Sequence, residues 1–198
     1  HNLGRVSTML HQEGVDLYME SGVMSNQDAE ISFNGTNYCF GCGRNMSYVD
    51  FSATAKIKNL GNSVYNLDFG RVISDGHGTL ETELQWNGAF QDFNLLQTVG
   101  TIKAKMTSGK LLKVDPGVFG GLLSIINLQG LFEFGSGDIN SIFKKGFYFN
   151  RLDLNVDILT SQVLLKQVYM SGPLASVKSA GKVNFANNTL DAEVAITP

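Results

Sequence analysis

The chain reads as mainly β with short helices, an α+β protein built on one elongated antiparallel sheet, curved or groove-forming, with two or three short helices. Three observations carry this reading. Apolar and polar residues alternate with a period of two over most of the length. Pairs containing Gly, Asn or Asp punctuate those runs. Helical spacing is confined to short stretches.

In order along the chain, Leu3, Val6, Met9 and Leu10 fall at helical spacing and stop at Gly14, which predicts an amphipathic helix over 3–14. Strand patterns follow. Val15, Leu17 and Met19 alternate with Asp16, Tyr18 and Glu20, and Ala29, Ile31 and Phe33 alternate with Glu30 and Ser32. Phe51, Ala53, Ala55 and Ile57 form the next set, then Leu80, Thr82, Leu84 and Trp86, then Ile102, Ala104 and Met106. The cleanest run sets Leu152, Leu154, Val156 and Ile158 against Arg151, Asp153, Asn155 and Asp157. Val177, Val183 and Phe185 form one late set, and Leu190, Ala192, Val194 and Ile196 another. Turns are expected at Ser21-Gly22, Asn34-Gly35, Asp75-Gly76, Asn87-Gly88, Ser108-Gly109, Ser171-Gly172-Pro173 and Asn187-Asn188. This predicts a meander of about eight to ten strands, each with one apolar and one polar face.

A helical insertion is expected at about 117–146. Pro116-Gly117 opens an apolar stretch over 118–131 that holds Phe119, Leu122, Leu123, Ile125, Ile126 and Leu128. Asp138 is placed to cap a second helix over 138–145, which ends on Lys144-Lys145. The whole of 1–198 reads as a single domain with a weak internal repeat, about 15–60 and 62–112. Asp28-Ala-Glu-Ile-Ser-Phe-Asn-Gly35 parallels Glu81-Thr-Glu-Leu-Gln-Trp-Asn-Gly88, and each is followed by a strand bearing a Lys pair.

Composition narrows the function classes. The 198 residues are 43% hydrophobic and 17% charged, as in a folded protein, and the net charge of −3 leaves no basic footprint for nucleic acid. His1 in place of an initiator Met is expected of a piece of a longer or processed protein. No stretch reaches the ~20 apolar residues that a membrane-crossing helix needs.

Catalytic chemistry is missing. No nucleophile-elbow, zinc-protease, phosphate-loop or dinucleotide pattern is present, so catalytic residues, metal ligands and cofactors are all assigned as none. Asp75 and His77 are an acid/base pair by type, but a Gly-rich hairpin tip is more often just a turn, and that reading is preferred. Glu81 and Glu83 share a strand face with Gln85, as on a solvated surface. Cys39 and Cys42 admit three readings: a loop feature, free or disulfide-bonded; a redox pair; or half a zinc site.

The informative feature is the apolar face, which must be covered by something. Either the helices cover it, or part of it stays open as a groove for acyl chains, each buried CH₂ contributing about 0.8 kcal/mol. Its expected lining is Ile31, Phe33, Leu84, Trp86, Ile102, Met106, Leu154, Val156, Val183, Phe185, Val194 and Ile196. The stretch with Phe119, Leu122, Leu123, Ile125 and Ile126 is either core or a helix that docks on a membrane.

Several runs, taken in order, resemble a known family. They are Trp86-Asn-Gly-Ala-Phe-Gln-Asp-Phe93, Val99-Gly-Thr-Ile-Lys-Ala-Lys-Met-Thr-Ser-Gly109, Val114-Asp-Pro-Gly117 and Gly121-Leu-Leu-Ser-Ile-Ile-Asn-Leu128. Ile142-Phe-Lys-Lys-Gly-Phe-Tyr-Phe149, Ser171-Gly-Pro-Leu-Ala175, Gly181-Lys-Val183 and Val194-Ala-Ile-Thr-Pro198 continue the set. Together they resemble the C-terminal region of YhdP/AsmA-like envelope proteins. That resemblance implies the periplasmic segment of an inner-membrane-anchored protein of a Gram-negative bacterium. It implies phospholipid transport between the inner and outer membranes and support of the outer-membrane permeability barrier. The expected partners are phospholipid acyl chains, the periplasmic side of a membrane and an envelope protein. The alternative is a structural or docking module of the envelope with a closed core.

Overall fold

The computed structural model describes residues 4–41, 47–67, 70–112, 146–187 and 189–198. Over them the chain forms one sheet of ten antiparallel strands in strict sequential order. The strands are β1 (Arg5–Glu13), β2 (Asp16–Ser25), β3 (Ala29–Cys39), β4 (Ser47–Ile57), β5 (Ile73–Asn87), β6 (Val99–Leu111), β7 (Phe147–Leu159), β8 (Gln162–Ser171), β9 (Ser176–Asn184) and β10 (Thr189–Thr197). One short helix, α1 (Leu60–Asn66), interrupts the meander between β4 and β5, and two short 3₁₀ turns lie between β5 and β6.

The expected N-terminal helix is a strand. Arg5–Glu13 pairs along β2, from Arg5 opposite Ser25 to Glu13 opposite Asp16. Val6 and Leu10 share one face here, a spacing of four that suits a helix and a strand equally. The two helices expected over 118–131 and 138–145 lie outside the described residues, as does Cys42. The short helix α1 was not expected. Asn59 caps it by accepting the Asn62 N–H at 2.9 Å, and Leu60 is buried against the sheet.

Four of the expected turns also proved to lie inside strands: Ser21-Gly22 in β2, Asn34-Gly35 in β3, Asp75-Gly76 in β5 and Ser108-Gly109 in β6. Ser21 (φ +50°), Asp75 (φ +58°) and Ser108 (φ +56°) adopt the left-handed conformation that such pairs favour. In β2 the result is a bulge: the four residues Met19–Gly22 oppose three of β3, and the four residues Glu20–Val23 oppose three of β1. In β5 and β6 the two irregularities lie side by side, between the pairs Asp75–Gly109 and His77–Thr107. There the buried side moves from even-numbered residues such as Ala104 and Met106 to odd-numbered Gly109, Phe147 and Phe149. The turns at Asn87-Gly88 and Ser171-Gly172-Pro173 are where the sequence put them.

The core gathers at one end of the strands. Ala29, Ala55, Ile57, Leu60, Met106, Phe147, Phe149, Met170, Ala175 and Val177 form its main cluster, with Val64 of α1 packed on it. A second cluster of Val156, Val163, Leu165 and Val183 lies nearer the other end of β7–β9. Asp28 locks α1 to the β2–β3 connection. Its buried carboxylate accepts from Asn62 Nδ2 at 2.9 Å and Asn66 Nδ2 at 3.5 Å, while its carbonyl accepts the N–H groups of Lys58 and Asn59.

Candidate functional site

Strand register puts a single apolar face across β2–β10. One line of paired residues runs Met24, Ile31, Ala55, Leu80, Ala104, Leu154, Val168, Ser179 and Val194. The next runs Gly22, Phe33, Ala53, Thr82, Ile102, Val156, Leu165, Gly181 and Ala192. Lines through Leu84 and Val183, through Trp86, and through Met106 and Ile196 lie on the same face. Every expected lining residue but one is therefore a strand residue of this face. The exception, Phe185, lies in the turn after β9, where it packs on the Val156 and Val183 cluster. The stretch containing Phe119, Leu122, Leu123, Ile125 and Ile126 lies outside the described residues.

The face is covered at its ends and half-exposed between them. At one end Trp86 is buried, its Nε1–H donating to the Ala89 carbonyl at 3.0 Å. Phe93 meets its ring edge-on at 5.2 Å and Phe51 flanks it at 6.0 Å. Phe90 sits over Gly35, where a Cβ would crowd its ring at 2.9 Å. At the other end Leu60 and Val64 of α1 join Phe147 and Phe149 on the core. Between these caps, Ile31, Phe33, Leu80, Leu84, Ile102 and Leu154 are half-buried, whereas Met106, Val156 and Val183 are buried. Phe33 lies across Gly22, whose missing side chain leaves room for the ring.

Sequence reasoning missed the contribution of β8, whose Val163, Leu165, Val168 and Met170 join this face. An extra residue between Leu165 and Val168 shifts the phase midway, so alternation never runs long enough to be seen. The detectable signal was the pair of short apolar alternations on either side of Lys166-Gln167.

The opposite face is polar and carries ion pairs, an exposed one between Lys58 and Glu30 at 3.6 Å and two with half-buried carboxylates, Arg151 with Asp153 at 2.6 Å and Lys166 with Asp157 at 2.7 Å. It also holds stacked rings near one end, His11 on Tyr18 and Tyr38 on Tyr48, both at 4.9 Å. The Tyr18 phenol titrates above its ordinary value through desolvation and then the charges of Asp16 and Glu13; Tyr48 does so through desolvation and then Asp50.

The chemistry of the remaining candidates is plain. The His77 ring nitrogen lies 3.1 Å from Thr107 Oγ1 on the exposed surface of β5 and β6. Cys39 is buried and disulfide-bonded, and its N–H donates to Asp16 Oδ1 at 2.8 Å. Among the described residues no group of three or more His, Cys, Asp or Glu could hold a metal ion. Also among them, no helix is long and apolar enough to cross a membrane.

Fold and site together define a mainly β protein whose open antiparallel sheet offers one continuous apolar face. A family model described as YhdP protein matches residues 1–198, and the chain belongs to the YhdP family. This is a family of bacterial envelope proteins and not a known enzyme family. Neither a curated protein nor a solved structure matches the chain.

Proposed function

We propose that this chain is a non-enzymatic lipid-handling segment of an envelope protein, whose apolar face receives phospholipid acyl chains. One observation carries the reading: between its two covered ends the face keeps Ile31, Phe33, Leu84, Ile102 and Leu154 half-exposed in neighbouring strands. Water-exposed apolar side chains in such a continuous strip gain from contact with an acyl chain, at about 0.8 kcal/mol per buried CH₂. No charged residue is needed to hold the chain, and the polar face keeps the other side in water. In this reading the segment lies in the periplasm of a Gram-negative cell, within a protein anchored in the inner membrane. It assists phospholipid movement between inner and outer membranes and so supports the permeability barrier.

The docking-module alternative draws on a different observation, the closed core around Phe147 and Phe149. A protein partner would seat on such a module rather than a lipid. Native mass spectrometry of the chain after incubation with mixed phospholipid vesicles separates the two. The lipid reading expects bound phospholipid that disappears in Ile102→Asp or Leu154→Asp variants that still fold. A lipid-free protein, or lipid retained by both folded variants, would favour docking.

A further inference from the structure

We propose that the apolar face takes a single acyl chain laid across the strands, from β3 to β7, with the head group on the β2 side and the methyl end on β7. This rests on the acyl-chain reading of the face and adds a direction and a polarity to it.

Relief sets the direction. Phe33, Ala53, Thr82 and Ile102 face one another in register across β3–β6, and the middle two are small. Leu80 and Leu84 flank Thr82 along β5, and Phe51 flanks Ala53 on β4, all of them half-buried. The result is a furrow across the strands whose floor is Ala53 and Thr82. The Thr82 hydroxyl donates to the Thr101 carbonyl at 3.0 Å, so its proton is spent within the sheet. Leu80 and Leu84 stand about 13 Å apart along β5, which leaves one chain's width between their side chains.

Dimensions agree with relief. Ile31, Phe33, Ala53, Thr82, Ile102 and Leu154 are half-buried or packed at the edge of the covered clusters, and the strands that carry them, β3 to β7, span about 19 Å. A fluid acyl chain fills about 15 Å, half of a bilayer core of ~30 Å. Along the strands there is less room. On β5 the half-buried stretch ends at Trp86, which is buried beside Phe93. On β6 Ala104 and Met106 are buried, which leaves Ile102. A chain running along β5 would also ride over Leu80 and Leu84 and lose contact with the floor between them.

The two ends of the furrow differ. From β7 onward the face is filled by the buried cluster of Val156, Val163, Leu165 and Val183, against which Ile102 and Leu154 pack. Towards β2 the face stays half-open at Met24 and Met19. A phosphate head group must remain hydrated, so it lies at the open end, and the methyl end meets the cluster.

The test uses the intact chain loaded from phosphatidylcholine vesicles and then separated from them. The lipid carries a nitroxide near the carbonyl or near the methyl end of one chain. NMR broadening of backbone amides should centre on β3 and β4 for the first label and on β6 and β7 for the second. Labels that broaden opposite ends of the same strands, the reverse order, or the same amides for both labels would overturn the proposal. Ala53→Leu fills the furrow and should lower co-purifying lipid about tenfold or more. Thr82→Val, of the same size, should load as the parent does, and both variants should melt as it does. Undiminished loading of folded Ala53→Leu would overturn the furrow; if that variant fails to fold, the nitroxide pattern in the parent still decides. A parent that takes up no lipid would sink the acyl-chain reading itself, whereas bound lipid with a pattern along the strands sinks only its direction.

Discussion

At the scale of single residues, Phe149 packs directly on Gly109. Phe149 is 1% exposed, and a Cβ on Gly109 would collide with its ring. Phe149→Ala should cost about 3–5 kcal/mol in urea unfolding, and Gly109→Ala about 1–3 kcal/mol through overpacking. Because the smaller side chain at 149 leaves room for the larger one at 109, the double variant should lose less than the sum. Simple additivity would mean that the two residues do not share their space. Asp28→Ala leaves the Asn62 amide without its carboxylate and should cost about 1–3 kcal/mol. The tyrosines add a pH dependence. A phenol whose folded pKa is raised binds its proton more tightly in the folded state. Its contribution is therefore complete below the ordinary phenol value and declines as pH rises through the folded value. Stability should fall in that alkaline window, and Tyr18→Phe with Tyr48→Phe should flatten the fall.

Secondary elements were legible where alternation is unbroken. β5 through Leu80–Trp86, β7 through Leu152–Ile158 and β10 through Val194–Ile196 fall as the sequence predicts because a period of two fixes each side chain's face. β1 was read as a helix because its apolar residues are too few to distinguish the two periods, and β8 was hidden by its bulge. The turn pairs misled for a physical reason: Ser-Gly and Asp-Gly supply a left-handed residue, which bends a strand as readily as it reverses one. Ser108 tests this. β-propensity alone says that Ser108→Val should help a strand. Its φ of +56° makes a β-branched side chain an outlier there, so a loss of about 1–2 kcal/mol is expected in thermal melts. A gain would mean that β6 runs straight at this point. The lining of the candidate site was legible for the same reason as the strands, since register decides which residues share a face. How far that face is covered was not, because the caps at Trp86 and α1 come from connections, where the sequence has no period to read.

For the molecule as a whole, the decisive property is that each strand pairs only with its neighbours in sequence. Among the described residues the sheet does not close, so β1 and β10 are its outer strands, and β1 is exposed along its full length. Stability in such an array is a sum of local interfaces rather than one indivisible core, and opening should begin where an interface is missing. The buried clusters lie mostly on β3–β9, while β1 contributes nothing to either. Hydrogen exchange should therefore be graded. Amides of β1 should exchange fastest among the strands, and those of β6 and β7, which pair on both sides and carry Met106, Phe147 and Phe149, slowest. If acyl chains occupy the face, bound lipid should slow exchange most in β3–β7, around Phe33, Leu84, Ile102 and Leu154, and leave β1 unchanged. Uniform protection across all ten strands without lipid would mean that the array unfolds as a single unit.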